Sequence, residues 1–164
     1  MHLRSSKKAA AGALDAGLRL LGQRSHSRFE LRRKLGRRGY GEAEVDAAVA
    51  RLVELRYLDD RLFAEGHVRR RSATRGPLAL SAELAARGVD RSLADQAVRD
   101  FDPEAQLAAA TRLVEGLAGR KSFPGYRELL DSAGAKLVRR GFAPGIVRTA
   151  CRAVWERTTT NPEA

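Results

Sequence analysis

The sequence is poor in the residues that mark secreted and membrane proteins. Its single cysteine, Cys151, cannot form an internal disulfide, so nothing in the sequence indicates an oxidising compartment. No run approaches the roughly 18 apolar residues that span a bilayer, and the alanine-rich start is interrupted by Asp15 and Arg19. We therefore predict no signal peptide and no membrane segment, and we expect a cytoplasmic location.

Aromatic and β-branched residues are also scarce. Aromatic residues make up 5% of the 164 residues, whereas alanine and leucine are abundant. This balance favours helix over strand. With 43% hydrophobic and 31% charged residues, the chain has the composition of a globular protein, and we predict an all-α fold.

Negative charge is in short supply, and the deficit is uneven. The net charge is +11; residues 1–76 hold 18 Lys and Arg against 9 Asp and Glu, whereas residues 77–164 hold 13 against 11. The first half therefore carries +9 and the second +2. Such a field attracts nucleic acid or an acidic protein surface, although basic helices can also be solvated.

What the chain does contain is a repeat, seen when Gly39, Gly88 and Gly141 are aligned. These glycines lie 49 and 53 residues apart, and apolar residues match in the columns before and after them. The matching columns are Leu35, Leu84 and Leu137; Tyr40, Val89 and Phe142; Ala48, Ala97 and Ala150; Val49, Val98 and Cys151; and Leu52, Phe101 and Val154. The sequence thus contains three copies of one predicted helical unit.

Each aligned glycine is placed to end a helix. Glycine at the position after a helix takes a left-handed conformation, and the next residue then packs on the side chain five positions before it. Start signals agree: Ser27 with Glu30 forms a capping-box pattern, Asp90 is a candidate N-cap, and Pro77 and Pro144 fit a first helical turn. With one further helix before each pair, we predict nine helices in an array of three-helix repeats.

These residues resemble the RecX family of regulatory proteins. The resemblance is carried by "RSHSRFELRRKL" at 24–35, "LRYLDDRLFAEGHVRRR" at 55–71, "RGPLALSAELAARGV" at 75–89 and "RRGF" at 139–142. The third unit departs from the pattern, because Pro124 and Gly125 interrupt it and Ala133 stands where the other units have Leu31 and Leu80.

The resemblance implies an elongated array of three tandem repeats. We expect repeats at residues 9–56, 57–101 and 102–157, flanked by flexible tails at 1–8 and 158–164. It also implies that the protein binds the recombinase RecA and its DNA filament, and restrains ATP hydrolysis, strand exchange and co-protease activity. The expected setting is recombination, DNA repair and the SOS response. We expect a monomer without a cofactor, and leave direct contact with single- or double-stranded DNA open.

The candidate binding residues are cationic. With Leu31 and Leu35 inward, Arg33 and Arg37 point away from the core of the helix predicted at 27–38. Phe29 either packs on the preceding helix or stands exposed among the arginines. The predicted contact set for the partner or DNA is Arg28, Phe29, Arg32, Arg33, Lys34, Arg37, Arg38, Arg69, Arg70, Arg71 and Arg75.

No pattern in the sequence indicates catalysis or a metal site. Asp59 and Asp60 open a helix that ends in arginines, so we interpret both as caps rather than as a catalytic pair. His2, His26 and His67 have no ligand spacing. Cys151 lies in an apolar column and is predicted to be a buried structural thiol. We predict that the protein is not an enzyme.

A second interpretation is a sequence-specific DNA-binding regulator, because two helices joined by a glycine turn resemble a helix-turn-helix. The second helix of such a unit enters the major groove. In the first pair, that helix carries Glu42, Glu44, Asp46 and Glu54 against Arg51. The charge placement argues against this alternative.

Overall fold

The protein is α-helical throughout the residues that the structure describes. This structure is a computed structural model, and it describes the backbone of residues 2–160 and the side chains of residues 12–160. The helices are α1 (His2–Gln23), α2 (Arg28–Gly36), α3 (Glu42–Glu54), α4 (Asp60–Arg71), α5 (Pro77–Ala86), α6 (Arg91–Arg99), α7 (Pro103–Ala118), α8 (Tyr126–Leu129), α9 (Ala135–Arg139) and α10 (Pro144–Thr160).

A π-helical turn, Leu130–Gly134, joins α8 to α9. Counted with it as one segment, residues 2–160 hold nine helical segments and no strand, so the predicted all-α fold is confirmed. No helix in the described part of the chain has the length and hydropathy needed to cross a membrane.

The chain divides into two compact units. The first unit is Met1–Glu65 with Leu84–Ala94, and the second unit is Gly66–Glu83 with Asp95–Ala164. The predicted boundaries of the three repeats stay a prediction. Of the predicted tails, residues 2–8 belong to α1 and residues 158–160 to α10, while Met1 and residues 161–164 lie outside the described residues.

Each unit has an apolar core to which residues of the aligned columns contribute. In the first unit, α1, α2 and α3 bury one face each, and the core consists of Ala16, Leu20, Leu31, Leu35, Val45, Val49, Leu52 and Leu58. In the second unit, α7 and α10 pack with the segment from α8 to α9, and the core includes Val114, Leu137, Phe142, Cys151 and Val154. Apolar residues at helical spacing place these side chains on one face.

The three aligned glycines end helices as predicted. Gly39, Gly88 and Gly141 have φ of +88°, +71° and +84°. The residue after each glycine donates its backbone N–H to the carbonyl five positions earlier, at 3.4 Å for Tyr40, 3.1 Å for Val89 and 3.1 Å for Phe142. This bond belongs to the Schellman helix end, in which glycine avoids the steric cost of a Cβ.

The predicted helix starts are confirmed with one exception. Pro77 and Pro144 open their helices, and the carboxylate of Asp90 accepts the N–H of Ser92 at 2.8 Å. The Ser27 hydroxyl accepts the N–H of Glu30 at 3.1 Å. The carboxylate of Glu30 binds two arginines and completes no capping box with Ser27, so that half of the prediction is wrong.

Gly88 also provides the surface on which Phe29 packs. A Cβ built on Gly88 would lie less than 3.0 Å from the Cβ of Phe29. Such a distance is far inside van der Waals contact, so a side chain at position 88 forces Phe29 or the turn to move. Two constraints therefore demand glycine here.

The Gly39 turn differs from the other two. A Cβ built on Gly39 would meet nothing within 4 Å among the described residues. Within residues 12–160, the start of α2 covers Gly88 and the start of α5 covers Gly141, but no helix start covers Gly39. The first turn of the repeat is therefore open to solvent, and only its left-handed backbone calls for glycine.

We expect Gly88→Val to lower the free energy of unfolding by about 2 kcal/mol, since left-handed backbone alone costs a substituted residue roughly 1–2 kcal/mol. Phe29→Gly in the Gly88→Val background, which removes the clashing Cβ together with the ring, should recover the steric part of this loss relative to Phe29→Gly alone. Urea unfolding measures both variants. Gly22→Ala, at a glycine with open space around its Cβ position, is the control. An unchanged midpoint for Gly88→Val would contradict the helix-stop interpretation.

Candidate binding surface

Helix α2 and the turn after it present a dense group of cations to solvent. Leu31 and Leu35 are buried, as predicted, while Arg33 and Arg37 are exposed on the opposite side. The helix ends at Gly36, earlier than the predicted residue 38, so Arg37 is its C-cap and Arg38 lies in the turn that follows. We call Arg28, Phe29, Arg32, Arg33, Lys34, Arg37 and Arg38 the basic surface of α2; all are exposed except Lys34, which is half-buried.

Within the described part of the chain, Arg32 is the one cation of this surface that pairs with a carboxylate. Its guanidinium lies 2.9 Å from Asp46, and both side chains are about half exposed. Such an exposed pair contributes about 0–1 kcal/mol, so a stronger partner can displace it. Among the described residues, no carboxylate pairs with Arg28, Arg33, Lys34, Arg37 or Arg38.

Phe29 is a half-exposed aromatic residue at the protein surface. Its ring packs on the Gly88 turn, and 47% of the residue remains exposed. The guanidinium carbon of Arg33 lies 5.8 Å from the ring centroid, within cation–π range. The sequence left two alternatives for Phe29, packing on the preceding helix or exposure among the arginines. The exposed position describes it better, and the inner side of the ring lies on the backbone of Gly88.

The start of α2 is held by residues distant in the sequence. The Ser27 hydroxyl donates to the carbonyl of Arg87 at 2.5 Å, and the carboxylate of Asp60 accepts the N–H of Arg28 at 2.8 Å. Asp59 caps its own helix, accepting the N–H groups of Arg61 and Leu62. The prediction that both aspartates cap α4 is therefore right for Asp59 and wrong for Asp60, which satisfies the N-terminus of α2.

Glu30 connects α2 to two arginines. Its carboxylate lies 2.6 Å from the guanidinium of Arg87 and 3.2 Å from that of Arg24. Burial raises the pKa of Glu30, but the nearby guanidinium groups of Arg24 and Arg87 together lower it, and the net pKa lies below the usual 4.5. Glu30 is thus ionised at neutral pH and fixes α2 in the first unit.

His26 precedes α2 and is buried. Its Nδ1 donates to the carbonyl of Arg24 at 2.8 Å, and its Nε2 has no hydrogen-bond partner within the part of the chain that the structure describes. Burial, and then the charge of Arg24, lowers the pKa of His26 below 6.5. The imidazole is therefore neutral and packs as a structural side chain.

The second group of predicted cations, in the second unit, divides into exposed and paired side chains. Arg69 and Arg70 are exposed. Glu83 lies 3.4 Å from Arg71, 3.3 Å from Arg75 and 2.8 Å from His67. Burial raises the pKa of Glu83, but the hydrogen bonds from Arg71 and His67, together with the charges of these groups, lower it by more. The net pKa of Glu83 therefore lies below 4.5. Arg71 and Arg75 thus hold a half-buried carboxylate.

The thiol occupies a structural position, and the side chain of His2 lies outside the described residues. Cys151 is buried, as predicted, and burial raises the pKa of its thiol. Among the described residues, no group of three or more His, Cys, Asp or Glu side chains could hold a metal ion.

Comparison with known proteins identifies the family. Models of the first and second three-helix domains of RecX match residues 13–52 and 59–98. A Thermus thermophilus protein named "Regulatory protein RecX" is 38% identical over 146 residues, covering 88% of this chain and 93% of that protein. One of the same name from Halorhodospira halophila is 37% identical over 155 residues, covering 94% of this chain and 95% of that one. The chain belongs to the RecX family.

Solved structures agree with this assignment. The crystal structure of RecX from Lactobacillus salivarius matches with a TM-score of 0.82 at 25% identity, covering 90% of this chain and 97% of that one. A second crystal structure of a regulatory protein RecX matches with a TM-score of 0.80 at 23% identity and supports the fold. The resemblance read from the sequence is confirmed.

For this RecX-family protein we expect Asp60→Ala to lower the free energy of unfolding by about 1–2 kcal/mol, because the N–H of Arg28 loses its acceptor. Asp60→Asn keeps an oxygen at the same place and should retain most of the stability. Thermal unfolding measures both variants, with Asp59→Asn as the control at a cap. Equal loss in the Ala and Asn variants would contradict the proposed hydrogen bond.

We also expect stability to depend on pH through Glu30. Because its folded pKa is lowered, ionised Glu30 contributes stability that is present above pH 4.5 and is lost as the pH falls through the lower folded value. Glu30→Gln should therefore cost about 1–2 kcal/mol near neutrality and much less in acid. Urea unfolding across this range measures the difference, and the exposed Glu156→Gln is the control. A pH-independent difference would contradict the ionic interpretation.

Proposed function

We propose that this protein regulates the recombinase RecA by binding RecA and its nucleoprotein filament. The observation that carries the proposal is membership of the RecX family, whose relatives named "Regulatory protein RecX" align over most of this chain. In this proposal, binding inhibits ATP hydrolysis, strand exchange and co-protease activity. The protein then acts in the cytoplasm, in recombination, DNA repair and the SOS response, as a monomer without a cofactor.

The basic surface of α2 is the proposed contact region. Its cations stand on a helix whose start is fixed by Asp60, Ser27 and Glu30, so little backbone entropy is lost on binding. Exposed arginines without acidic partners bind carboxylates or phosphates through paired hydrogen bonds. Both acidic patches of RecA and the phosphates of its DNA are therefore suitable partners. Arg69 and Arg70 extend the proposal to the second unit.

The alternative function, a helix-turn-helix regulator that reads DNA sequence, is less well supported. Helix α3 follows the Gly39 turn and would be the reading helix, but Glu42, Asp46 and Glu54 are exposed on it. Its single arginine, Arg51, pairs with Glu54 at 2.9 Å. A helix with this charge is repelled by the phosphates that flank the groove.

The test of the proposal is RecA-dependent ATP hydrolysis on single-stranded DNA, measured with and without the protein. DNA binding by the protein alone is measured beside it. Inhibition at protein amounts too small to coat the DNA supports action on the filament. Sequence-specific DNA binding with no effect on RecA would favour the alternative.

We expect the triple variant Arg32→Ala, Arg33→Ala, Arg37→Ala to fold normally and to lose binding. The three side chains face solvent, and alanine is the stronger helix former. If they contact phosphates, each lost contact reduces the slope of log affinity against log salt by roughly 0.7–0.9. If they contact RecA, inhibition weakens while affinity for naked DNA changes less.

The control is Arg99→Ala, Arg127→Ala, Arg148→Ala, which removes the same charge from exposed positions elsewhere. Circular dichroism confirms that both variants are folded. A triple variant on α2 with normal DNA binding, salt slope and RecA inhibition would show that another surface makes the contact.

A further inference from the structure

A cavity with an apolar wall lies between α7 and α9 in the second unit. Its volume is about 220 Å³, and leucines from both helices form the wall. Leu137 is buried, whereas Leu113 and Leu117 are only partly covered by the core. The cavity therefore offers an apolar surface that the fold itself leaves incompletely filled.

Four cations surround this wall. Arg112 and Arg120 come from α7 and the residues after it, and Lys136 and Arg140 from α9 and its last turn. Lys136 and Arg140 are four residues apart and Arg112 and Arg120 are eight apart, spacings that keep side chains on one side of a helix, so both pairs line the same opening. Like charges gathered in this way repel one another, and the fold gains nothing from the arrangement.

No carboxylate neutralises these cations in the part of the chain that the structure describes. Glu115 lies on the same stretch of α7, but it pairs with Arg157 at 2.9 Å. The cavity thus combines an apolar wall with an uncompensated positive rim. An occupant that bears negative charge around an apolar group complements both features.

Gly116 keeps the cavity open. It lies inside α7, where glycine is less favourable than alanine. A Cβ built on Gly116 would meet no atom within 4 Å, and its backbone needs no left-handed conformation. Neither packing nor backbone geometry explains this glycine, whereas access to the leucines does.

We propose that this cavity binds an acidic segment of a partner protein, which inserts one apolar side chain against the leucines and places carboxylates against the arginines and the lysine. A nucleic acid fits less well, because the lining contains no aromatic ring on which a base can stack. A second copy of this chain is disfavoured by its net charge of +11. The site uses none of the residues of the basic surface of α2 and does not depend on regulation of RecA.

The experiment uses the full chain and a fluorescent peptide in which one leucine is flanked by aspartates. A matched peptide has serine in place of the leucine. Removing a leucine side chain from water favours binding, so the leucine peptide should bind about tenfold more tightly or better. Equal affinity of the two peptides would overturn the proposal, since it would mean attraction by charge alone.

Gly116→Leu tests the cavity without removing any charge. The new side chain fills the opening, and leucine stabilises a helix better than glycine does. We expect leucine-peptide affinity to fall about tenfold to that of the serine peptide. Gly22→Leu is the control, because Gly22 is also an exposed helical glycine with open space around it. Unchanged affinity of a folded Gly116→Leu variant would overturn the proposal.

Charge reversal tests the rim. Arg112→Glu with Lys136→Glu should weaken both peptides by about tenfold or more, whereas Arg99→Glu with Arg127→Glu changes the net charge equally and should have much less effect. Equal effects of the two double variants would contradict a localised site. If Gly116→Leu instead abolishes binding of a short oligothymidylate and spares the leucine peptide, the occupant is nucleic acid and the proposal is wrong.

Discussion

The contact between a glycine turn and the start of an earlier helix is the interaction on which each unit depends. In the first unit, Phe29 near the start of α2 packs on Gly88. In the second unit, the N–H of Leu78 at the start of α5 donates to the carbonyl of Gly141 at 3.1 Å. A Cβ on Gly141 would clash with the backbone nitrogen of Ala79. Glycine therefore serves twice, since it ends one helix and lets another approach.

Local chemistry accounts for what could be predicted from the sequence. Helix ends at glycine, starts at proline or aspartate, and buried columns at helical spacing each depend on a few adjacent residues. Family membership followed from motifs such as "LDDRLFA". The exposure of the α2 arginines followed from the positions of Leu31 and Leu35. Which partner these arginines contact stays a prediction.

Contacts between distant residues could not be predicted. Asp60 stands at the start of α4, and for that reason it was expected to cap its own helix. It instead accepts the N–H of Arg28, and only the fold brings these two residues together. Arg56, just after α3, has a left-handed backbone with φ of +58°. A glycine at this position would have predicted that conformation from the sequence, but an arginine does not. The cations near Gly116 come from α7 and α9, and only the packing of these helices brings them together. The sequence composition cannot distinguish one arginine from another. In the structure, Arg87 is paired with Glu30, whereas other arginines have no carboxylate partner among the described residues.

The way in which α2 is anchored limits how its basic surface can bind. A free helix N-terminus attracts phosphates through its unpaired N–H groups. In α2 the N–H of Arg28 is taken by Asp60, and that of Glu30 by Ser27. The carboxylate of Asp60 also places a negative charge where an anion would otherwise bind. Contacts with a polyanion must therefore come from the side chains of α2, which are long and flexible. Such contacts depend strongly on salt and tolerate changes of sequence in the partner. The anchoring that makes α2 rigid thus makes it better suited to an acidic or phosphate-bearing surface than to reading a base sequence.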